Sequence, residues 1–166
     1  MSVDGMTQAA RAVHAGEGDL VWFTNNLMTV KATAETTGGA YGLVEALAPV
    51  GASPPLHIQH GEDETFYVLE GELTFRCGDD TISARPGSCV FIPRGAPHTF
   101  VVEEGPARFL SMCTPGGFER FFVAAGQPAE YAGLPPETPP DVPLLKRVSE
   151  EFNADIIGPP MAPRSR

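Results

Sequence analysis

Residues 19–113 consist of short apolar segments that turn-forming residues separate at intervals of roughly 8–12 positions. Asn25-Asn26, Glu70-Gly71, Gly78-Asp79 and Pro86-Gly87 are the clearest of these turn signals. Within segments such as residues 41–47, alternate positions are expected to share one face, which is the period of a β-strand. Many short strands joined by tight turns predict an all-β fold, either an antiparallel barrel or a jelly roll.

Helices are expected only near the C-terminal end of the chain. Thr114-Pro115 predicts the start of a helix that carries phenylalanines at helical spacing and ends at Gly126. Asp141 predicts the N-cap of a last helix. We therefore expect three parts, which are an N-terminal arm (1–18), a β-barrel (19–113), and a C-terminal part (114–166). The last part combines helices with a proline-rich tail that packs on the barrel.

Charge and composition exclude several classes of partner. The net charge of -10 disfavours nucleic acid and anionic membrane surfaces, which both require clustered Lys and Arg. No apolar run reaches the roughly 20 residues that span a bilayer. The first 18 residues lack the apolar stretch of a secretory signal, so a cytoplasmic location is expected. The three cysteines show no C-x-x-C spacing, which predicts neither a disulfide framework nor a zinc–thiolate site.

The side chains that could carry chemistry lie in two strand-like stretches. The first stretch contains His57, Gln59, His60 and Glu64, and the second contains His98. Imidazole and carboxylate groups are donors that divalent first-row transition metals accept. Because residues two apart on a strand face the same side, His57 and Gln59 are expected to point inward and His60 outward. A metal centre of His57, Gln59, Glu64 and His98 is therefore predicted.

Position 59 leaves two alternatives open. An amide oxygen is a neutral and weaker ligand than imidazole, so Gln59 either binds the metal or orients a metal-bound water. Alternatively, a local bulge rotates His60 into the centre in place of Gln59.

Both stretches resemble the two motifs of the cupin superfamily. Residues 51–71 follow G-x5-H-x-H-x3-4-E-x6-G, except that Gln59 stands at the second histidine. Residues 87–102 follow G-x5-P-x-G-x2-H-x3-N, with Val102 in place of the closing asparagine. Over roughly residues 38–130 the chain also looks like the quercetin 2,3-dioxygenase-like group of cupins, in stretches such as "DETFYVLEGELTF" and "PGSCVFIPRGAPHTF".

The resemblance implies a single jelly-roll β-barrel that binds one divalent first-row transition metal: Fe, Mn, Ni, Co, Cu or Zn. It further implies Glu64 as catalytic base, O2 and a flavonol-like or other enolisable small molecule as substrates, and a homodimer. Two other functions fit the same pattern. One is a non-catalytic small-molecule-binding cupin, a sensor or carrier with a weakened or absent metal site. The other is a metal-assisted isomerase or lyase.

An apolar pocket around the centre is expected from strand parity. Phe66 and Val68 are expected to share the face of Glu64, and Phe100 and Val102 that of His98. Tyr41, Leu43 and Glu45 are expected on the opposite sheet. An aromatic lining would suit a planar phenolic ligand. The predicted lining residues are Tyr41, Leu43, Glu45, Phe66, Val68, Phe100 and Val102.

Overall fold

The computed structural model describes residues 8–164, so part of the predicted N-terminal arm lies outside the described residues. The strands are β1 (Asp19–Phe23), β2 (Asn26–Ala32), β3 (Gly42–Ala48), β4 (Pro55–Gln59), β5 (Asp63–Cys77), β6 (Asp80–Ala84), β7 (Cys89–Ile92), β8 (His98–Thr114), β9 (Gln127–Pro128) and β10 (Ala154–Pro160). The helices are α1 (Ala34–Thr37), α2 (Glu119–Ala125) and α3 (Val142–Glu151). The division into arm, barrel and C-terminal part stays a prediction.

All strand pairs are antiparallel, and the predicted antiparallel jelly roll is confirmed. One path of neighbours runs β10-β4-β8-β3-β2-β1-β9, while β5 pairs with β6, β7 and β8. Among the described residues, the pairing does not close into a continuous ring. The long strands β5 and β8 connect the two parts of the sheet, so they bring distant segments to one interior.

Gly71 lies inside a strand and not in a hairpin turn, so the predicted Glu70-Gly71 turn is wrong. Strand β5 runs through it for 15 residues, and its register with β8 shifts between Val68 and Leu73. Gly71 has φ of 81°, and a Cβ there would lie 2.8 Å from the Ala107 Cα. Only glycine fits such a backbone without strain. The register shifts mark a bulge, before which the even-numbered residues Glu64 to Val68 are buried and after which Leu73 and Phe75 are buried.

The C-terminal part differs from the prediction at two points. Thr114 ends strand β8, and α2 begins at Glu119 without a side-chain cap, although it ends before Gly126 as expected. Asp141 does cap α3, since its carboxylate accepts a hydrogen bond from Leu144 N at 3.0 Å. Within the described part of the chain, no helix has both the length and the apolar character needed to cross a membrane.

Strand β10 was not predicted, because its prolines and glycine suggested a tail. It pairs with β4, where Ile156 lies opposite His57 and Ala154 lies opposite Gln59. This strand therefore supports the outer edge of the strand that carries two of the predicted site residues.

Two apolar clusters stabilise the fold. The interior of the sheet contains four phenylalanine rings whose centroids lie 4.9–6.1 Å apart in contacting pairs: Phe66, Phe75, Phe100 and Phe109. The second cluster joins α2 and α3 to β10 through Phe118, Phe121, Leu145 and Val148. Each fully buried side chain of this size contributes about 1.5–3 kcal/mol, so these clusters hold the strands in register.

Candidate metal centre

His57, Glu64 and His98 come from three strands and converge on one point. His57 on β4 and His98 on β8 are register partners, and their ring centroids lie 4.3 Å apart. One ligand atom from each of the three residues lies within 4.8 Å of the others. Donors bound to one transition metal lie about 3–3.5 Å from each other, so small side-chain movements would let all three reach a single ion.

Backbone carbonyls orient both imidazoles toward this point. His57 Nδ1 lies 2.7 Å from the Pro55 carbonyl oxygen, and His98 Nδ1 lies 2.9 Å from that of Ala96. A carbonyl only accepts, so each Nδ1 carries the proton and donates it. In the neutral ring Nε2 then has a lone pair for a metal, which is the usual arrangement of metal-binding histidines. At His98 a metal would replace the Nε2 proton that faces Glu64. The donor set and its orientation fit a divalent transition metal.

Ser111 and His98 hold the Glu64 carboxylate from two sides. Ser111 Oγ donates to Glu64 Oε1 at 2.7 Å, and His98 Nε2 lies 3.2 Å from Glu64 Oε2. Sequence reasoning missed Ser111, because only the pairing of β5 with β8 brings it to Glu64. With Oε1 occupied, Oε2 is the oxygen that faces the imidazoles.

The protonation states suit a metal-binding role. Burial lowers the pKa of His57 to about 4, so this imidazole is neutral near pH 7. Burial alone would raise the pKa of Glu64, but the hydrogen bond and charge of His98, with the bond from Ser111, bring it below its usual value. Burial likewise opposes protonation of His98, yet the Glu64 carboxylate raises the pKa of His98. In the absence of a metal, Glu64 and His98 therefore form a buried ion pair.

Gln59 is buried and His60 is exposed, the arrangement that strand parity indicates. Gln59 is 2% exposed, and neither atom of its amide has a hydrogen-bond partner within residues 8–164. His60 Nε2 instead lies 2.8 Å from Asp155 Oδ2 on the surface, outside the cluster of donors.

The Gln59 amide also lies near the thiol of Cys113. Cys113 on β8 is the backbone register partner of Glu64 on β5. Burial, followed by the charge of Glu64, raises the pKa of Cys113 well above its usual value, while the amide opposes that rise. The contact between amide and thiol does not have hydrogen-bond geometry. The amide thus reaches the same layer of the interior as Glu64.

Two loops at this end are tied together through Asp63 and Arg94. The Asp63 carboxylate accepts hydrogen bonds from Arg94 N at 2.9 Å, Nε at 3.1 Å and Nη2 at 3.2 Å. The Arg94 guanidinium lowers the pKa of Asp63 in turn. Gly95 N donates to the Gln59 carbonyl oxygen at 2.7 Å. These bonds connect the turn before β8 to the ends of β4 and β5, and so set the position of His98 relative to the other donors.

The predicted pocket residues divide into two groups. Phe66, Val68 and Val102 are buried and Phe100 is half-buried, and all four pack in the interior core. Phe66 and Phe100 follow Glu64 and His98 by two positions, so these two lie nearest the donors.

The expected face of β3 is wrong by one position, which removes Tyr41, Leu43 and Glu45 from the interior. The inward residues of this strand are Gly42, Val44, Ala46 and Ala48. The inward face is set by Val44, Ala46 and Ala48, which pack in the interior cluster. Position 42 must be glycine, because the buried carboxylate of Glu119 occupies the space where its side chain would lie.

Comparisons with known proteins agree with this geometry. A family model described as "Cupin domain" matches residues 43–113, which include all three donors. Quercetin 2,3-dioxygenase of Bacillus subtilis (strain 168) is 29% identical over 118 residues, covering 71% of this chain and 35% of that protein. The enzyme of the same name from Aspergillus japonicus is 28% identical over 122 residues, covering 68% and 34%. The chain thus spans about a third of the length of these curated relatives.

An RmlC-like cupin from Shewanella frigidimarina NCIMB 400 has a similar fold, with a TM-score of 0.56 and 17% sequence identity. The match covers 69% of this chain and 98% of the other. At this identity the likeness concerns the fold alone.

Proposed function

We propose that the chain, which matches the cupin-domain model over residues 43–113 and resembles the quercetinase-like group of cupins, is a metal-dependent dioxygenase acting on a flavonol-like or other enolisable small molecule. The observation that carries this proposal is the convergence of His57, Glu64 and His98 within 4.8 Å. The similarity to two quercetin 2,3-dioxygenases supports the substrate class and the use of O2.

In this proposal, His57 and His98 hold the metal through Nε2 and Glu64 holds it through Oε2. A bound divalent transition metal would supply Lewis-acid chemistry that lowers the pKa of a substrate hydroxyl. Glu64 would be the base that accepts the hydroxyl proton: the carboxylate is ionised, and its burial favours the uncharged, protonated form once a proton is offered. Ser111 holds Oε1, so Oε2 would serve both roles of Glu64, metal ligand and proton acceptor, at different stages.

Gln59 occupies the fourth position of the proposed centre. Its two possible roles are ligation through Oε1 and orientation of a bound molecule, and the first would give a weaker centre than a histidine would.

A second function, a non-catalytic binder of small molecules, is favoured by two observations. Gln59 replaces a strong ligand by a weak one, and four phenylalanines fill the interior beside the donors. A sensor or carrier requires binding alone, so it tolerates a weakened centre and a small ligand space.

Metal content and oxygen uptake test the proposal. Protein purified without added metal is expected to contain close to one first-row metal ion per chain, or to take one up when reconstituted with Fe(II), Mn(II), Ni(II), Co(II) or Cu(II). Oxygen consumption with quercetin should then depend on that metal. The matched variants are His98→Ala, which should lose the ion, and His60→Ala, which should keep it.

The outcomes separate the two functions. A chain that stays free of metal after reconstitution with every ion contradicts the dioxygenase proposal. A chain that binds metal and ligand without consuming oxygen supports the binder. The homodimer and the cytoplasmic location stay predictions, which sedimentation analysis and cell fractionation would check.

A further inference from the structure

The centre contains one strong hydrogen-bond donor that nothing in the described chain uses. Both Nδ1 protons of the histidines are donated to carbonyl oxygens, and the Ser111 hydroxyl is donated to Glu64. Only the Gln59 amide lacks a partner for both of its atoms, although it is 2% exposed. A buried polar group without a partner costs free energy, so this amide needs an explanation.

Metal binding through Gln59 would satisfy only half of the amide. Oε1 would gain a partner, but the Nε2 donor would stay buried and unpaired. Three protein ligands already form a complete open centre for a transition metal, as in many catalytic sites. His57, Glu64 and His98 supply these three without Gln59.

We propose that Gln59 is the specificity-determining residue of the centre and that it recognises a small hydroxy-carbonyl compound by donating Nε2–H to its carbonyl or enolate oxygen. This inference rests on the proposed metal centre and names how its ligand is selected. His57 and Gln59 share one face of β4, and the amide reaches the layer of Glu64 and Cys113. A ligand oxygen bound beside the donors would therefore lie in the same layer of the interior as the amide.

The recognition is selective because no other free N–H or O–H donor is found among the described polar groups at this end. Glu62 Oε2 also lacks a partner, but an ionised carboxylate only accepts and cannot replace an N–H donor. The Asp63 carboxylate binds Arg94, and the His60 imidazole binds Asp155 on the surface. A ligand without an acceptor oxygen would leave the Nε2 donor of Gln59 unpaired. Sites in which a ligand leaves a buried polar group unpaired discriminate strongly against that ligand.

Maltol, a small 3-hydroxy-4-pyranone, is a suitable probe together with Co(II), whose absorption reports on its surroundings. The test compares the wild-type chain with Gln59→Met, which has a similar volume but no donor, and with His60→Ala as the neighbouring control. Co(II) affinity is measured by competition with a chromophoric chelator, and maltol affinity is measured by titration of the Co(II)-loaded protein.

We expect Gln59→Met to bind Co(II) within about threefold of wild type and to bind maltol about 10–100-fold more weakly, the loss typical of a hydrogen bond to a charged group. His60→Ala should match wild type in both measurements. A Co(II) affinity that falls tenfold or more in Gln59→Met would show that Gln59 is a ligand and overturn the inference.

Two further results would overturn it while leaving the metal centre intact. One is equal maltol affinity in wild type and Gln59→Met, and the other is a Co(II)-loaded wild type that does not bind maltol. A wild-type chain that fails to bind Co(II) and the other ions overturns the inference together with the proposed function. The metal measurement therefore distinguishes the two failures.

Discussion

Two neighbouring layers of the interior are built largely from the same strands but differ in composition and in their expected role. The polar layer consists of His57, Gln59, Glu64, His98 and Ser111, and the phenylalanine layer consists of Phe66, Phe75, Phe100 and Phe109.

Several members of the two layers are only two residues apart along a strand, as with Glu64 and Phe66 on β5. The same spacing separates His98 from Phe100 on β8. Two residues of a strand span about 6.6 Å, so one step along the same face changes apolar packing into a cluster of metal donors.

The two layers differ in how completely their side chains find packing or hydrogen-bond partners. The phenylalanine rings contact one another at centroid distances of 4.9–6.1 Å, and Phe75 is fully buried. The polar layer instead contains a buried ion pair of Glu64 with His98 and an unpaired amide at Gln59. Both of these features cost stability in a closed interior. We infer that the phenylalanine layer stabilises the fold and that the polar layer is retained for binding.

The largest expected effect is on the phenylalanine layer. Phe75→Ala should lower the free energy of unfolding by about 3–5 kcal/mol, because it leaves a cavity next to Phe66 and Phe100. Urea denaturation measures this change. Phe91→Ala is the control, since this side chain is 59% exposed and its loss should cost less than about 0.5 kcal/mol. Co(II) affinity of the folded Phe75→Ala protein should stay close to wild type, and a large loss would show that the layers are not independent.

The next effect concerns the donors of the polar layer. His98→Ala should weaken Co(II) binding by more than about 100-fold, because the loss of a direct ligand exceeds the 10–100-fold typical of a supporting residue. Competition with a chelator gives the affinity. His60→Ala should leave that affinity unchanged, since His60 is exposed and pairs with Asp155. Equal losses in the two variants would contradict the assignment of the centre.

A smaller effect is expected at the residue that positions Glu64. Ser111→Ala should weaken Co(II) binding about 10-fold, because Glu64 Oε1 loses its hydrogen bond of 2.7 Å. It should also shift the carboxylate stretching band of Glu64 in the infrared, which a general loss of packing would not do. Ser83→Ala is the control, since this exposed hydroxyl binds Glu72 far from the centre. An unchanged carboxylate band would argue against the positioning role.

The smallest effect has the opposite sign. In the metal-free protein, Gln59→Met should leave the free energy of unfolding unchanged or raise it by up to about 1 kcal/mol, because it removes an unpaired buried amide without leaving a cavity. Urea denaturation of the matched exposed variant Gln127→Met gives the baseline. A loss of more than about 1 kcal/mol would mean that the amide has a partner in the folded metal-free protein.

Much of the fold and part of the candidate site could be predicted because both depend on local periodicity. Strand period and turn residues indicate an antiparallel β fold, and the parity of β4 separates inward Gln59 from outward His60. The errors lie where a distant segment decides the outcome. The face of β3 depends on the packing of Val44 and Ala46 in the interior cluster, and Gly71 lies at a bulge where β8 approaches too closely for a side chain.

The sequence by itself determined the donor types, their spacing and the faces on which His57, Gln59 and His98 lie, because a strand repeats every two residues whatever surrounds it. Only the tertiary structure decided which side chains serve those donors. Ser111 reaches Glu64 across 47 positions of sequence, and β10 pairs with β4 although prolines interrupt it. The tertiary structure also decided that the Gln59 amide has no partner among the described residues, because this depends on every side chain packed around it.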